Sequence, residues 1–220
     1  MANFPASYPP RMGADALWET AASYDRVVDS YEAQVRIPAP QRTAFRDLFT
    51  SRLRGGGQVL DAGCGPGQDA EHFQRLGWSI LAVDASRNMV LRARERGCAA
   101  VVGDLRRLPV ADRSLDGLWS SASLLHVPRP EVGGTFARWA DLLRPGGILG
   151  LITSLGHDEG WEAVPYAPGA QHQGVPLRRW FVHHERDALI ELVQRTGLLI
   201  DHVEERAGHR HWLQLLARRQ

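Results

Sequence analysis

The chain contains no lysine, because all 26 of its basic residues are arginine. A chain without lysine cannot form a lysine Schiff base or hold a phosphate with the lysine of a P-loop. It has two cysteines, Cys64 and Cys98, which are too few for a disulfide framework and lack the spacing of metal ligands. We therefore expect a reducing compartment, the cytoplasm.

Long apolar runs and a surplus of charge are also missing. No stretch approaches the roughly 18 apolar residues of a membrane span, and the N-terminus lacks the basic start and apolar segment of a secretory signal. The 26 basic and 25 acidic residues leave a formal net charge of +1. We expect neither a nucleic-acid partner nor membrane contact, since no field of one sign would attract them.

What the sequence does contain is a regular alternation of strand and helix patterns. With 220 residues, of which 44% are hydrophobic and 23% charged, the chain suits one α/β domain. Strand patterns cover residues 58–61, 79–83, 99–102, 115–120 and 148–153, and helical patterns cover 68–76, 86–96 and 130–143. This alternation predicts a doubly wound parallel sheet with helices on both faces.

Both flanks depart from this alternation. Helical patterns at residues 14–35 and 41–53 precede the first strand, so we expect residues 1–55 to cover the ligand site and 56–220 to form the core. Residues 155–182 are rich in Gly, Pro, His and Trp and too long for a simple connection, which favours a lid or substrate segment. The remaining patterns are a helix at 184–196 and strands at 198–204 and 211–216.

The segment VLDAGCGPGQD marks the turn after the first strand. Its glycines, Gly63, Gly65 and Gly67, alternate with other residues, a layout typical of a strand, a tight turn and a helix that hold a nucleotide-like ligand. Gln68 stands where the dinucleotide fingerprint has its third glycine. Asp61, at the edge of the turn, would repel a pyrophosphate by a few kcal/mol but would attract an ammonium group.

Two further acids follow the next two strands. Asp84 lies 21 residues after Gly63, a spacing that suits hydrogen bonding to a ribose diol. Asp104 follows the third strand, where its side chain could reach an adenine amino group. Three acids at three strand ends would surround a ligand that carries an amine, a ribose and an adenine.

With these pieces in order, the chain resembles the class I S-adenosylmethionine-dependent methyltransferases. The resemblance covers residues 59–153 closely and the remainder in outline. It rests on VLDAGCGPG, AVD, GDLRRLP, DGLWSSASLLHV and LLRPGGIL. It implies a Rossmann-like seven-stranded sheet with an antiparallel last strand, and transfer of a methyl group from S-adenosylmethionine to O, N or C of a small-molecule metabolite, in the compact type found in bacterial specialised metabolism.

The resemblance also implies a set of cofactor-binding residues. Tyr24 is included because we expect the N-terminal helix to fold over the methionine end of the cofactor. The predicted set is Tyr24, Asp61, Gly63, Cys64, Gly65, Asp84, Ala85, Met89, Gly103, Asp104, Leu105 and Ser121.

His126 follows the fourth strand, whose carboxyl end faces the transferred methyl group in this fold. It could act as a general base on the acceptor, but a packing or orienting role is the favoured interpretation. Six residues of the 155–182 segment could form an aromatic and cationic pocket, which favours an aromatic or acidic acceptor: Trp161, Tyr166, His172, Arg178, Arg179 and Trp180.

Two other functions are compatible with parts of this pattern. The residues after the fourth strand are SSASLLH. They lack the Asn/Asp-Pro-Pro-aromatic motif that base-modifying amino methyltransferases share, so an RNA methyltransferase is disfavoured. A cofactor-binding protein with lost or non-methylating activity, such as a cyclase, stays open, as does a monomer or a homodimer. No metal is expected, because His183–His184 and His209–His211 have no evident third ligand.

Overall fold

A seven-stranded sheet forms the centre of the molecule. The computed structural model describes residues 16–35, 40–54, 56–167, 169–172, 174–208 and 210–220. The strands of this sheet are β1 (Gln58–Ala62), β2 (Ser79–Asp84), β3 (Ala100–Val102), β4 (Leu115–Ser121), β5 (Leu143–Ser154), β10 (Leu198–Arg206) and β11 (Trp212–Arg219). They lie side by side in the order β10-β11-β5-β4-β1-β2-β3.

The first five strands are parallel, as the alternation predicts, and β11 inserts antiparallel between β5 and β10. The predicted doubly wound fold with an antiparallel last strand is therefore confirmed. The chain order reverses between β4 and β1, and in open α/β sheets ligands bind at the carboxyl ends of the strands at such a switch point. That edge carries the glycine turn and Asp84.

Seven helices occur in the described part of the chain. They are α1 (Ala16–Asp25), α2 (Val28–Val35), α3 (Pro40–Arg52), α4 (Gln68–Arg75), α5 (Arg87–Glu95), α6 (Arg129–Leu142) and α7 (Arg186–Arg195). A single 3-10 turn, Leu124–His126, follows β4. Most bounds agree with the sequence patterns within a few residues, and the predicted His209 lies outside the described residues.

The expected single helix over residues 14–35 is wrong, because the chain forms two helices that meet at Arg26 and Val27. The carbonyl of Asp25, which would continue the helix, accepts a hydrogen bond from Asn88 Nδ2 instead (2.8 Å). The carboxylate of Asp25 also accepts from Ser86 Oγ (2.6 Å) and from the Asn88 amide (2.8 Å). Tertiary contacts with the start of α5 thus end α1.

The described residues of the 155–182 segment form an antiparallel ribbon. Strands β6 (Glu159–Ala163) and β9 (Arg178–Val182) pair with each other, and a small hairpin, β7 (Gln171–His172) with β8 (Val175–Pro176), lies between them. The ribbon is joined to α1, since the Trp180 amide donates to Thr20 Oγ1 (2.7 Å) and Arg178 bonds Glu19 (2.6 Å). Together α1 and the ribbon lie at the edge of the sheet where the glycine turn is.

Both faces of the sheet are buried. On one face the rings of Phe49, Phe73 and Trp119 lie within 5.0 to 5.7 Å of one another. On the other, Phe136 and Trp139 of α6 are fully buried in the larger apolar cluster. Burial on both sides explains why the strands are near-continuous apolar segments, and it fixes the edge on which the polar side chains meet.

Candidate active site

The turn after β1 requires glycine at two positions for different reasons. Gly63 has φ +79°, and a Cβ there would overlap the Cβ of Ser123. Gly67 has φ +84°, and a Cβ there would lie 2.8 Å from the Cβ of Ala93. The first glycine lets the turn approach the end of β4, and the third lets α4 begin against α5. Gly63 and Gly65 of the turn line the recesses at the ends of the strands.

Asp84 holds the turn in place. Its Oδ2 accepts the Gly65 amide (2.8 Å) and its Oδ1 accepts the Ser86 amide (2.8 Å). Burial raises the pKa of Asp84 to about 6, partly offset by these amides and reinforced by the nearby charge of Asp25. Each carboxylate oxygen accepts more than one hydrogen bond, so the half-buried carboxylate has capacity left for a pair of hydroxyl groups.

Asp61 is a buried acid with one unused oxygen. It is 2% exposed, and its Oδ2 has no hydrogen-bond partner among the described residues. Burial raises its pKa well above the usual range, the nearby Asp69 raises it further, and Arg42 lowers it. Such an orphaned oxygen is costly unless a donor reaches it. An ammonium group can supply such a donor whereas a phosphate cannot, and the contact between Asp61 and an ammonium group stays a prediction.

The neighbouring Asp69, in contrast, is fully satisfied. It accepts from Arg42 Nη2 (2.7 Å), Arg46 Nη1 (3.0 Å) and the indole of Trp119 (2.8 Å). Burial alone would raise its pKa, but Arg42 and these donors hold it below the usual range. The α3 arginines are therefore anchored on α4 and on the sheet, next to Asp61.

Helices α1 and α2 close the edge of the site. One pocket is lined by Leu17, Thr20, Ala21, Tyr24, Tyr31, Gly63, Gly65, Asp84, Ala85, Met89, Leu105, Ser121, Ala122, Ser123 and His126. A second recess beside it is lined by Tyr31, Val35, Arg42, Asp61, Gly63, Cys64, Pro66, Gln68, Asp69 and Ser121. Tyr31, Gly63 and Ser121 line both recesses, so the Asp84 side and the Asp61 side adjoin at these residues.

His126 and Tyr24 are joined across the pocket. The Nδ1 of His126 lies 2.6 Å from the carbonyl of Trp180, which can only accept, so Nδ1 carries the proton. Its Nε2 then accepts the hydroxyl hydrogen of Tyr24 at 3.1 Å. Burial, helped by the charge of Arg179, lowers the pKa of His126 to about 3. His126 is thus a neutral, fully bonded ring.

Ten of the twelve predicted cofactor-binding residues line one or both of these recesses. The two that do not are Gly103 and Asp104. The carboxylate of Asp104 is bound by Arg106, with 2.9 Å from Nε and 2.7 Å from Nη2 to Oδ2. A contact between Asp104 and adenine stays a prediction and would require Arg106 to share that carboxylate.

The six predicted ribbon residues divide into two groups. Tyr166 and Arg179 contact residues that line the site, because Tyr166 packs against Tyr31 (4.8 Å between ring centroids) and Arg179 bonds the Tyr24 hydroxyl (3.2 Å). Trp161 and the side chain of Trp180 meet edge to face elsewhere, and Arg178 lies over Trp161. His172 bonds Arg26 at an exposed position.

Sequence reasoning missed several site residues. Leu17, Thr20 and Ala21 lie on the pocket face of α1, where their helical spacing is the signal that could have found them. Ala122 has φ +57°, an uncommon backbone for a residue with a Cβ. Ser123 donates to the Ala62 carbonyl (2.5 Å) and touches Gly63, a contact between β1 and β4 that no local pattern signals.

The described residues contain no group of three or more His, Cys, Asp or Glu side chains that could hold a metal ion. Among the same residues, no helix has the length and apolar character that crossing a membrane would require.

The strand order of the sheet and the glycine turn lined by acids are those of the Rossmann-like methyltransferase fold. Residues 59–147 match the family described as a methyltransferase domain. The chain is 28% identical over 184 residues to the malonyl-[acyl-carrier protein] O-methyltransferase of Yersinia pestis, covering 78% of this chain and 67% of that protein. A relative of the same name from Pseudescherichia vulneris is 29% identical, covering 66% and 59%. The chain thus spans 59–67% of the length of these two curated relatives.

Solved structures show the same architecture. The [4+2]-cyclase SpnF has a TM-score of 0.70 at 21% identity, covering 94% of this chain and 97% of that one. The 1,6-didemethyltoxoflavin-N1-methyltransferase of Burkholderia thailandensis has a TM-score of 0.68 at 19% identity, covering 100% and 93%. At these identities the likeness establishes the fold. Residues 59–147 therefore carry a methyltransferase domain, and the fold around them is that of the class I S-adenosylmethionine-dependent methyltransferases.

Proposed function

We propose that the protein transfers a methyl group from S-adenosylmethionine to a small-molecule metabolite that is aromatic or acidic. The observation that carries the proposal is the unpaired Oδ2 of Asp61, buried beside the glycine turn. S-adenosylmethionine, when bound, supplies a methyl group on a positively charged sulfur and carries an ammonium, a ribose and an adenine. The residues present fit each of these parts.

Each part has a candidate partner in this chain. Asp61 would hold the ammonium, which would also favour the ionised form of its carboxyl. Asp84 would accept the two ribose hydroxyls, and Met89 and Leu105 would form apolar walls for the adenine. Tyr31, which lines both recesses, would cover the methionine end. The remaining predicted residues would contact the cofactor from the same edge of the sheet.

The acceptor would enter between the end of β4 and the ribbon. His126 and Tyr24 occupy this side of the pocket, and neither offers a free base, because the Nε2 of His126 already accepts the Tyr24 hydroxyl. Rate enhancement would therefore come from holding the acceptor close to and in line with the methyl group, a contribution that can reach roughly 7–11 kcal/mol. Methylation at oxygen is favoured by the names of the curated relatives.

A matched pair of ligands tests the cofactor assignment. S-adenosylhomocysteine carries the amino-acid group that 5′-methylthioadenosine lacks, and both carry the adenosine group. Asp61→Asn should lower the affinity for S-adenosylhomocysteine by about 10- to 100-fold, the equivalent of one charge-assisted contact, and leave 5′-methylthioadenosine binding unchanged. Calorimetry that finds equal losses for the two ligands, or no loss, contradicts the role of Asp61.

Transfer itself is tested with radiolabelled S-adenosylmethionine and a metabolite extract. Label that moves to an acceptor supports the proposal. Tight binding of the cofactor without transfer to any acceptor would instead favour the alternative, a cofactor-binding protein with lost or non-methylating activity such as cyclisation. A cytoplasmic location and a monomeric or homodimeric state stay predictions, which fractionation and sedimentation would check.

A further inference from the structure

Arg179 is a buried guanidinium whose donors are not all used. It lies on β9 with 5% of its surface exposed. Its Nη1 donates to the Tyr24 hydroxyl (3.2 Å) and its Nη2 lies 3.3 Å from Glu162 Oε2. Its Nε–H is buried and has no acceptor among the residues that the structure describes. A buried charged donor without an acceptor is costly, so a ligand that supplies an acceptor there would be favoured.

The one acid beside Arg179 is shared with a second arginine. Glu162 also accepts from Arg210, with 2.7 Å from Nη2 to Oε2 and 3.2 Å from Nη1 to Oε1, and it lies 3.4 Å from His183 Nε2. Within the described part of the chain, no other carboxylate pairs with either guanidinium. One carboxylate therefore faces two guanidiniums, and the group has a surplus of positive charge.

The surroundings of Arg179 strengthen an interaction with an anion. The guanidinium lies 4.7 Å from the ring centroid of Phe181 and 5.7 Å from that of Tyr166, so apolar rings replace water beside it. Charges interact more strongly where water is excluded. A planar guanidinium also matches the two oxygens of a carboxylate, which makes arginine better suited than a point charge to this ligand.

Arg179 lies next to the place where the acceptor would be methylated. Its partner Tyr24 lines the pocket that Gly63 and Asp84 also line, and the same hydroxyl is bonded to His126. This neighbourhood offers donors and positive charge but no free base. It suits a nucleophile that is already ionised at neutral pH, and a carboxylate meets that condition, whereas an alcohol or a phenol must lose a proton.

We propose that the acceptor is a carboxylic acid, that Arg179 binds its carboxylate, and that the product is a methyl ester. In the transfer a carboxylate oxygen forms a bond to the methyl carbon while the carbon–sulfur bond breaks and its electron pair stays on sulfur. The negative carboxylate and the positive sulfonium become a neutral ester and a neutral thioether, and no proton is released. The inference rests on the proposed function and narrows its acceptor class.

Binding of simple acids and their amides tests the anchor directly. Protein saturated with S-adenosylhomocysteine is titrated with malonate and malonamide, and with benzoate and benzamide. At least one acid should bind the unmodified protein about 10- to 100-fold more tightly than its amide. Arg179→Gln should abolish the difference, and Arg179→Lys should retain part of it. Arg195→Gln removes an exposed arginine from α7 and should change nothing.

If Arg179→Gln does not fold, the comparison of each acid with its amide on the unmodified protein still decides the question. If neither acid binds better than its amide, or if the preference persists in a folded Arg179→Gln, the inference is wrong. A second measurement uses the labelled product, because mild alkali releases volatile methanol from a methyl ester but not from a methylated amine, carbon or ether. Labelled product that is stable to alkali overturns the carboxylate assignment and leaves the methyltransferase proposal intact, whereas failure to bind S-adenosylhomocysteine would overturn that proposal itself.

Discussion

The hydroxyl of Tyr24 donates to Nε2 of His126 across 3.1 Å, and this bond joins α1 to the turn after β4. The other ring nitrogen of His126 is bonded to the Trp180 carbonyl of the ribbon. One buried imidazole therefore connects three elements that enclose the site. This arrangement fits an orienting and packing role better than the role of a general base, whose accepting nitrogen must be free to reach the acceptor.

The role of His126 is tested by His126→Asn. Because the shorter side chain leaves the Trp180 carbonyl or the Tyr24 hydroxyl unpaired, the free energy of unfolding should fall by about 1–3 kcal/mol, measured by urea denaturation. Turnover should fall by about tenfold or less, and cofactor affinity should not change. A loss of roughly 10²–10⁴ in turnover with normal stability is the result expected of a general base, and it would show that our interpretation is wrong.

Asp84 should make cofactor binding depend on pH. Its pKa in the free protein is raised to about 6, and the ribose hydroxyls need the ionised form as their acceptor. Below pH 6 the Asp84 carboxylate of the free protein takes up a proton, which cofactor binding must remove. The dissociation constant should therefore rise about tenfold for each unit by which the pH falls. Above pH 7 the contribution of Asp84 to the dissociation constant should no longer change with pH. Calorimetry with S-adenosylhomocysteine between pH 5 and 8 measures this.

Asp84→Asn is the control for that experiment, since an amide does not titrate. Its affinity should be about 10- to 100-fold lower at pH 7.5, and the part of the pH dependence that comes from Asp84 should disappear. Any slope that remains belongs to other groups of the site, Asp61 among them. If the two proteins show the same slope, Asp84 is not the group that titrates.

Gly63 and Gly77 separate backbone strain from steric overlap. Both have positive φ, +79° and +91°, but a Cβ at Gly77 meets nothing within 4 Å whereas one at Gly63 overlaps Ser123. Gly77→Ala should cost about 1–2 kcal/mol for the left-handed backbone alone. Gly63→Ala should cost a further 1–3 kcal/mol or so from overpacking and should weaken cofactor binding. Equal losses of stability in the two variants would contradict the close approach of Gly63 to β4.

Asp25 should control the opening of α1. Its carboxylate bonds Ser86 and Asn88 at the start of α5, so Asp25→Ala should increase hydrogen exchange in residues 16–25 by about 10- to 100-fold. Cofactor release should become faster as the cover loosens. Asp29→Ala removes an exposed carboxylate paired with Arg92 and should have little effect. Unchanged exchange in Asp25→Ala would mean that other contacts hold α1.

Some features of this molecule follow from the sequence alone. The alternation of strand and helix patterns and the apolar strands determine a parallel sheet with buried faces, because a strand exposed to water on one face would alternate polar and apolar residues. The acids Asp61 and Asp84 lie at the carboxyl ends of β1 and β2, and the glycines of the turn follow β1 directly. Their meeting at one edge follows from the parallel arrangement, which is why the sequence predicts that part of the site well.

Other features depend on contacts between residues far apart in the chain. The break between α1 and α2 could not be predicted locally, since Asp25 is held by Ser86 and Asn88, more than 60 positions away. The Tyr24–His126 bond spans 102 positions and the Arg179–Tyr24 bond 155. Helical spacing places Tyr24 on the apolar face of a helix. Only the packing of α1 and the ribbon on the sheet decides that this face meets His126 and Arg179. Burial then sets their chemistry, because desolvation keeps the imidazole neutral and leaves a guanidinium donor without a partner.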